Sequence, residues 1–151
     1  MQQDSQILNE RKRTWKSKQI LKKLYHNWYR IIGNALKPGL ILEIGGGSGN
    51  LKEFFPHAIS SDILFSPWAD AVLDAHHLPF KNAALDNIVL FDVLHHLINP
   101  LHFFFEAQRA LKKNGRIIKS NRILVFIKKH QWRWNRHCSN LFRGIRRSTT
   151  F

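Results

Sequence analysis

The sequence predicts an α/β protein: a Rossmann-like, mostly parallel sheet with helices on both faces. Three observations carry that expectation. Short apolar runs bounded by turn residues alternate with stretches of helical periodicity. A glycine-dense loop, Gly45-Gly46-Gly47-Ser48-Gly49, separates one apolar run from a helical turn. The 151 residues suffice for one domain with a sizeable core but not for two complete enzyme domains.

The elements follow in order. Residues 18–36 place Ile20, Leu21, Leu24, Trp28, Ile31, Ile32 and Leu36 at helical spacings. Lys37-Pro38-Gly39 ends that helix, since proline lacks an amide donor and glycine permits a sharp turn. The run Leu40-Ile41-Leu42-Glu43-Ile44 then reads as a buried strand. Residues 50–55 form a helical turn or two, and Ala58-Ile59-Ser60-Ser61-Asp62-Ile63 a second strand. A short helix and a third strand fall within residues 68–74, and a stronger strand centres on Ile88, Val89, Leu90 and Phe91. Residues 100–112 make a helix that tolerates Pro100 in its first turn, where no intrahelical amide is needed. Asn114-Gly115 marks its exit, and Arg116-Ile117-Ile118 begins another strand. Beyond residue 130 no sustained period remains, and loose structure is expected.

The formal charge of +14 suggests nucleic acid until it is divided along the chain. Residues 1–38 carry +7, residues 39–111 carry −5, and residues 112–151 carry +12 with no acid at all. The organisation is therefore a basic, helical N-terminal extension (1–38), a ligand-binding domain (39–122) and a basic, weakly ordered tail (123–151). The single cysteine, Cys138, excludes an intrachain disulfide and any cysteine-only metal cage, which suits a reducing, cytoplasmic setting. No uninterrupted apolar run approaches the roughly 18 residues of a spanning helix, so integral membrane insertion is not expected. The basic face of residues 22–30 is expected to be an ordinary solvated helix face rather than a lipid-binding one.

The glycine loop carries the most information. Gly45, Gly47 and Gly49 allow positive φ and remove the Cβ that would hold a ligand away from the backbone. Glu43 stands at the strand end, and helix-end amides offer donors. No lysine follows the loop as in a triphosphate-binding GxxxxGK[ST] sequence, and Asn50 stands where a dinucleotide-binding GxGxxG loop would place its last glycine. Together with Ser61-Asp62-Ile63, Asp74-Ala75, Leu78-Pro79-Phe80, residues 85–96 and Ala110-Leu111-Lys112-Lys113-Asn114-Gly115-Arg116, the loop resembles the class I S-adenosylmethionine-dependent methyltransferases, in particular the type 11 group. The resemblance spans roughly residues 39–118.

It implies S-adenosyl-L-methionine as cofactor, with Glu43, Gly45, Gly47 and Gly49 framing its methionine and ribose parts. Asp62 is implied to hold the ribose hydroxyls, a role a carboxylate performs by accepting from a vicinal diol. Asp74 and Ala75 are implied beside the adenine, and Phe91 and Asp92 beside the methyl-donor pocket. The implied partner is a small-molecule methyl acceptor with an O, N or C nucleophile. His95 and His96 fall in the loop after the fourth strand, where packing is a better expectation than general-base work. His76, His77, His130, His137 and Cys138 show no metal-ligand spacing, so no metal is expected. A family member normally finishes its sheet with an antiparallel hairpin. Here the pattern stops after Ile118, so the hairpin is expected to be missing, through truncation or a frame alteration rather than through local pairing of residues 123–126. Two rival readings remain: a noncatalytic S-adenosylmethionine-binding remnant, and a basic nucleic-acid-binding protein whose Trp132-Arg133-Trp134-Asn135-Arg136 segment alternates stacking and cationic groups.

Overall fold

The computed structural model describes residues 2–119 and 124–127. Two helices, α1 (Gln2–Ser17) and α2 (Gln19–Ala35), precede a sheet of β1 (Ile41–Ile44), β2 (Ile59–Asp62), β3 (Ala71–Val72), β4 (Leu85–Leu90), β5 (Leu111–Lys119) and β6 (Leu124–Ile127). Helix α3 (Pro100–Ala110) joins β4 to β5, and short 3₁₀ turns at Leu51–Glu53 and Leu94–His96 follow β1 and β4. The strand order is β3-β2-β1-β4-β5-β6, parallel through β5.

Strand alternation divides the apolar residues between two layers. Ile88 and Leu90 of β4 and Ile117 of β5 join Leu42, Phe103 and Ala107 on the α3 face. Val89 and Ile118, one position along, point the other way and meet Trp15, Tyr29, Ile32 and Leu51. Helices α1 and α2 thus share a buried core with the sheet. Asn87 ties α2 down from within β4: its Oδ1 accepts from the Lys37 amide at 2.9 Å, and its Nδ2 donates to the Lys37 carbonyl at 2.8 Å. A fully buried amide is tolerable there because both its ends are satisfied.

Three sequence expectations need correction. The sheet does not lack antiparallel pairing after Ile118: β6 pairs antiparallel with β5, Arg116 opposite Ile127 through Lys119 opposite Leu124. The apolar run of β6 finds ladder partners on an otherwise open edge. Helix α3 ends at Ala110 rather than near residue 112, and Asn114-Gly115 lies inside β5. Leu85 pairs with Leu111 but Asn87 with Arg116, so the intervening residues bulge outward, with Asn114 at φ 65°. The helical turn expected after β1 is present as the 3₁₀ turn Leu51–Glu53, whereas the residues before β3 form a turn rather than a helix. The stretch from residue 128 onward, including Trp132-Arg133-Trp134, lies outside the described residues.

Asn99 caps α3 by accepting from the His102 amide at 3.1 Å, ahead of Pro100. Near the other end, Arg109 donates to the carbonyls of Leu78 (2.8 Å) and Phe80 (2.7 Å) while held by Glu106, whose Oε2 accepts from the Leu78 amide at 3.0 Å. The Leu78-Pro79-Phe80 turn is thereby fixed to the helix.

Candidate functional site

The order of the sheet reverses between β1 and β4, and the crevice outside the carboxyl ends of strands at such a point is where open α/β sheets bind ligands. A cleft of about 890 Å³ opens there. Its walls include Glu43 within β1, Gly45 and Gly47 after it, Asp62 at the end of β2, Asp74 and Ala75 after β3, and Phe91 and Asp92 after β4. The fold brings these residues, far apart in sequence, to one opening. Gly49 is the exception: it does not line the cleft. It has φ +68°, and a Cβ there would come within 2.7 Å of Trp68, so its place is beneath that ring.

The loop is built around Asp62. The Gly47 amide donates to Asp62 Oδ2 at 2.8 Å and the Leu64 amide to Oδ1 at 2.9 Å. Both bonds aim the carboxylate, and each oxygen keeps a lone pair for a further donor. Trp68 Nε1 donates to the Gly47 carbonyl at 2.6 Å, and the Gly46 amide to the Ser61 carbonyl at 2.8 Å. Gly45 must be glycine on two counts: φ is +71°, and a Cβ would lie 2.0 Å from Val93 Cγ2.

Glu43 lies below the loop, 3% exposed, with Ser60 Oγ donating to its Oε2. Burial pushes its carboxyl up to about 7, with Asp62 and Asp70 adding to the rise and the Ser60 hydrogen bond opposing it. Asp74 shows the opposite behaviour. The His76 amide donates to its Oδ1 at 2.8 Å and His76 Nδ1 lies 2.7 Å from the same oxygen, with His77 Nδ1 at 3.3 Å from Oδ2. The backbone bond from His76 leads in pulling its carboxyl down to about 2, so Asp74 acts as an acceptor across the physiological range. His76 Nε2 accepts from the Asn99 amide at 3.2 Å, which fits the tautomer with its proton on Nδ1. The cleft's acid-lined floor suits a ligand that is cationic and rich in donors.

Phe91 packs against an aromatic group on α2, with ring centroids 5.0 Å from Tyr25 and 5.4 Å from Tyr29. Burial raises both phenols, with the Asp92 charge adding to the effect at Tyr25 and Arg11 opposing it. Asp92 itself sits at φ 56°, a conformation costly for a non-glycine residue. His96 lines the cleft, whereas His95 lies 3.8 Å from Asp92 through its Nδ1. Several wall residues were not singled out from sequence. Leu8, Trp15, Tyr25 and Tyr29 reach the cleft from α1 and α2, and helical periodicity marks such residues only as core. Asn50, noted in the sequence only as a departure from the GxGxxG pattern, also belongs to this wall: its Oδ1 is buried there with no hydrogen-bond partner. Its place after the glycine loop was visible, but its orphaned oxygen was not. Among the described residues no group of three His, Cys, Asp or Glu side chains is arranged to hold a metal ion, and no helix is long and apolar enough to cross a membrane.

Comparison with known proteins agrees with this geometry. Residues 42–119 match the profile of a family described as a methyltransferase domain. An uncharacterised protein of Methanocaldococcus jannaschii is 30% identical over 121 residues, covering 69% of this chain and 45% of that protein. A SAM-dependent methyltransferase of Thermotoga maritima superposes with a TM-score of 0.63 at 22% identity, covering 76% of this chain and 58% of the other. A Methanococcus maripaludis protein assigned to the same class gives 0.57 at 18% identity, covering 76% and 62%. The chain spans about half the length of these relatives. With the matched segment covering β1 through β5, the chain belongs to the class I S-adenosylmethionine-dependent methyltransferases of the type 11 methyltransferase-domain family.

Proposed function

We propose that this protein binds S-adenosyl-L-methionine in the β1/β4 cleft and transfers its methyl group to a small-molecule nucleophile. The observation that carries the reading is the convergence of Asp62, Asp74, the glycine loop and Phe91-Asp92 on one cleft. The residues present fit the cofactor. Two carboxylates pinned by backbone amides offer acceptors to a ribose diol and an exocyclic amine. The orphaned Asn50 Oδ1 offers a third acceptor, and a Cβ built on Gly47 would meet nothing closer than 3.9 Å, so that side of the loop is open to a ligand.

When bound, the cofactor supplies an electrophilic methyl group on a sulfonium, which passes to the acceptor as the carbon–sulfur bond breaks and S-adenosylhomocysteine is left. The chain's own share is positioning and electrostatics. Asp62 and Asp74 would hold the nucleoside by its two ends, and the carboxylates around the floor would favour a cation. Phe91, backed by Tyr25 and Tyr29, would wall off water beside the transferring methyl. Asp92 would set polarity beside the acceptor. No histidine is required to take a proton, since an acceptor already deprotonated reacts once it is held in line.

Isothermal titration of the full chain with S-adenosylmethionine and S-adenosylhomocysteine tests the reading. Binding by the native protein that weakens at least tenfold in Asp62→Ala is expected, and a folded protein that binds neither compound refutes it. The alternative reading is a noncatalytic role that binds S-adenosylmethionine in the same cleft. Binding without methyl transfer to any acceptor in a screened panel would favour it. The lone cysteine supports a reducing, cytoplasmic setting for either role. Contact of the basic flanks with nucleic acid would be nonspecific charge attraction, and should fade by about 150 mM salt.

A further inference from the structure

One residue holds Asp74 through two donors. The His76 amide and His76 Nδ1 both meet its Oδ1, at 2.8 and 2.7 Å. A carboxylate oxygen offers about two lone pairs, so Oδ1 is filled. Oδ2 faces His77 Nδ1 at 3.3 Å, a longer contact to a side chain that is 75% exposed, and so keeps room for a further donor. The His76 ring is itself fixed from its far side. Its Nε2 accepts from the amide of Asn99, the N-cap of α3, at 3.2 Å. That bond leaves the single proton of a neutral ring on Nδ1, where it donates to Asp74. With Glu106 and Arg109 holding Leu78 and Phe80, the stretch from Asp74 to Phe80 is tied to α3 at both of its ends.

We infer that His76 is a positioning residue: it locks the Asp74 carboxylate with Oδ2 free for the exocyclic amine of the adenine, and so sets the preference for adenine over a purine with a carbonyl at that place. This rests on the cofactor reading, which supplies the amine. The physical reason lies in the last torsion of an aspartate, which is broad and roughly two-fold. One backbone amide on Oδ1 leaves the carboxylate able to turn about that bond, whereas a second donor from the ring fixes it. A carboxylate so fixed rewards an N–H and opposes a carbonyl oxygen, because two acceptors then face each other. The His76 side chain lines the cleft and is 15% exposed, which suits a group that acts on the ligand through its neighbour.

Titration of the full chain with S-adenosylhomocysteine and with S-inosylhomocysteine, which carries a carbonyl in place of the amine, reads this preference as a ratio of two dissociation constants. A partly unfolded variant weakens both ligands by the same factor, so the ratio survives a loss of stability. The native chain should favour the adenine compound roughly thirtyfold or more. His76→Gln keeps an acceptor for the Asn99 amide but has no donor at the place of Nδ1, and its ratio should fall about tenfold. His76→Asn sets an amide nitrogen where Nδ1 stood and gives up the Asn99 bond, so its ratio should stay within about twofold of the native one. A ring that serves merely to attach the loop to α3 gives a different pattern: the ratio survives in His76→Gln, or both variants weaken the two ligands in step. Either result overturns the inference. Equal affinity of the native chain for the two compounds overturns it as well and leaves the cofactor reading standing. A folded native chain that binds neither compound refutes the cofactor reading and this inference with it.

Discussion

Glu43 shows how one buried group shapes the behaviour of the whole site. It has almost no exposure and a carboxyl raised to about 7, chiefly by burial. The folded state therefore keeps a proton that the unfolded chain releases near the ordinary value of 4.5. Between those two values the folded form binds more protons, so the contribution of Glu43 to stability falls as pH rises from about 4.5 to about 7. The full span corresponds to about 3 kcal/mol. Glu43→Gln keeps an acceptor for Ser60 but cannot ionise, so its urea-unfolding free energy should be flat over the same window where the native protein declines. Parallel declines in both proteins would mean that another group is responsible. Gly45 makes a second prediction at this scale. Gly45→Ala must place a methyl group 2.0 Å from Val93 Cγ2 at a φ of +71°. A stability loss of about 2 kcal/mol or more is expected, together with loss of S-adenosylhomocysteine binding. Of the predicted site residues, the glycines and acids were legible because loop chemistry is local. The orphaned oxygen of Asn50 was not, because its isolation depends on neighbours that sequence spacing does not specify.

At the level of elements, the molecule relies on a few long-range polar clamps. Asn87, inside β4, satisfies both backbone groups of Lys37, fifty positions away, and so sets where α2 ends against the sheet. Replacing it by Ala leaves an amide and a carbonyl without partners, and should cost about 2–4 kcal/mol in chemical denaturation. Arg109→Leu releases the carbonyls of Leu78 and Phe80 and the Glu106 pair, with an expected loss of about 1–3 kcal/mol. Because that turn follows directly on Asp74 and Ala75, faster amide exchange at residues 76–82 should accompany it. Neither clamp has a signal in the sequence, because Asn87 and Arg109 find their partners tens of positions away. The end of α3 was read two residues too long for a related reason: Lys112 and Lys113 are acceptable in a helix, and only pairing of Leu85 with Leu111 assigns them to a bulge in β5.

For the whole molecule, the partition of charge proved more informative than its total. The acidic stretch, residues 39–111, is the part that builds the cleft floor, and the basic N-terminal segment supplies two helices that close one face of the sheet. Trp15 is 3% exposed, packs against Tyr25 at 5.1 Å and donates through Nε1 to Glu53 at 2.9 Å. Trp15→Ala should therefore cost about 3–5 kcal/mol, a loss readable in thermal unfolding. A surface appendage would lose almost nothing.

By itself the sequence determined the strand and helix alternation, the glycine loop and the acids at successive strand ends, because each is encoded in contiguous residues through backbone preference and apolar period. Tertiary structure decided the rest. It folded α1 and α2 over the sheet, set Gly49 under Trp68 instead of in the cleft, and added β6 to the open edge of β5. Those outcomes depend on contacts between residues distant in the chain, where the energy lies in burial and pairing that no local pattern records.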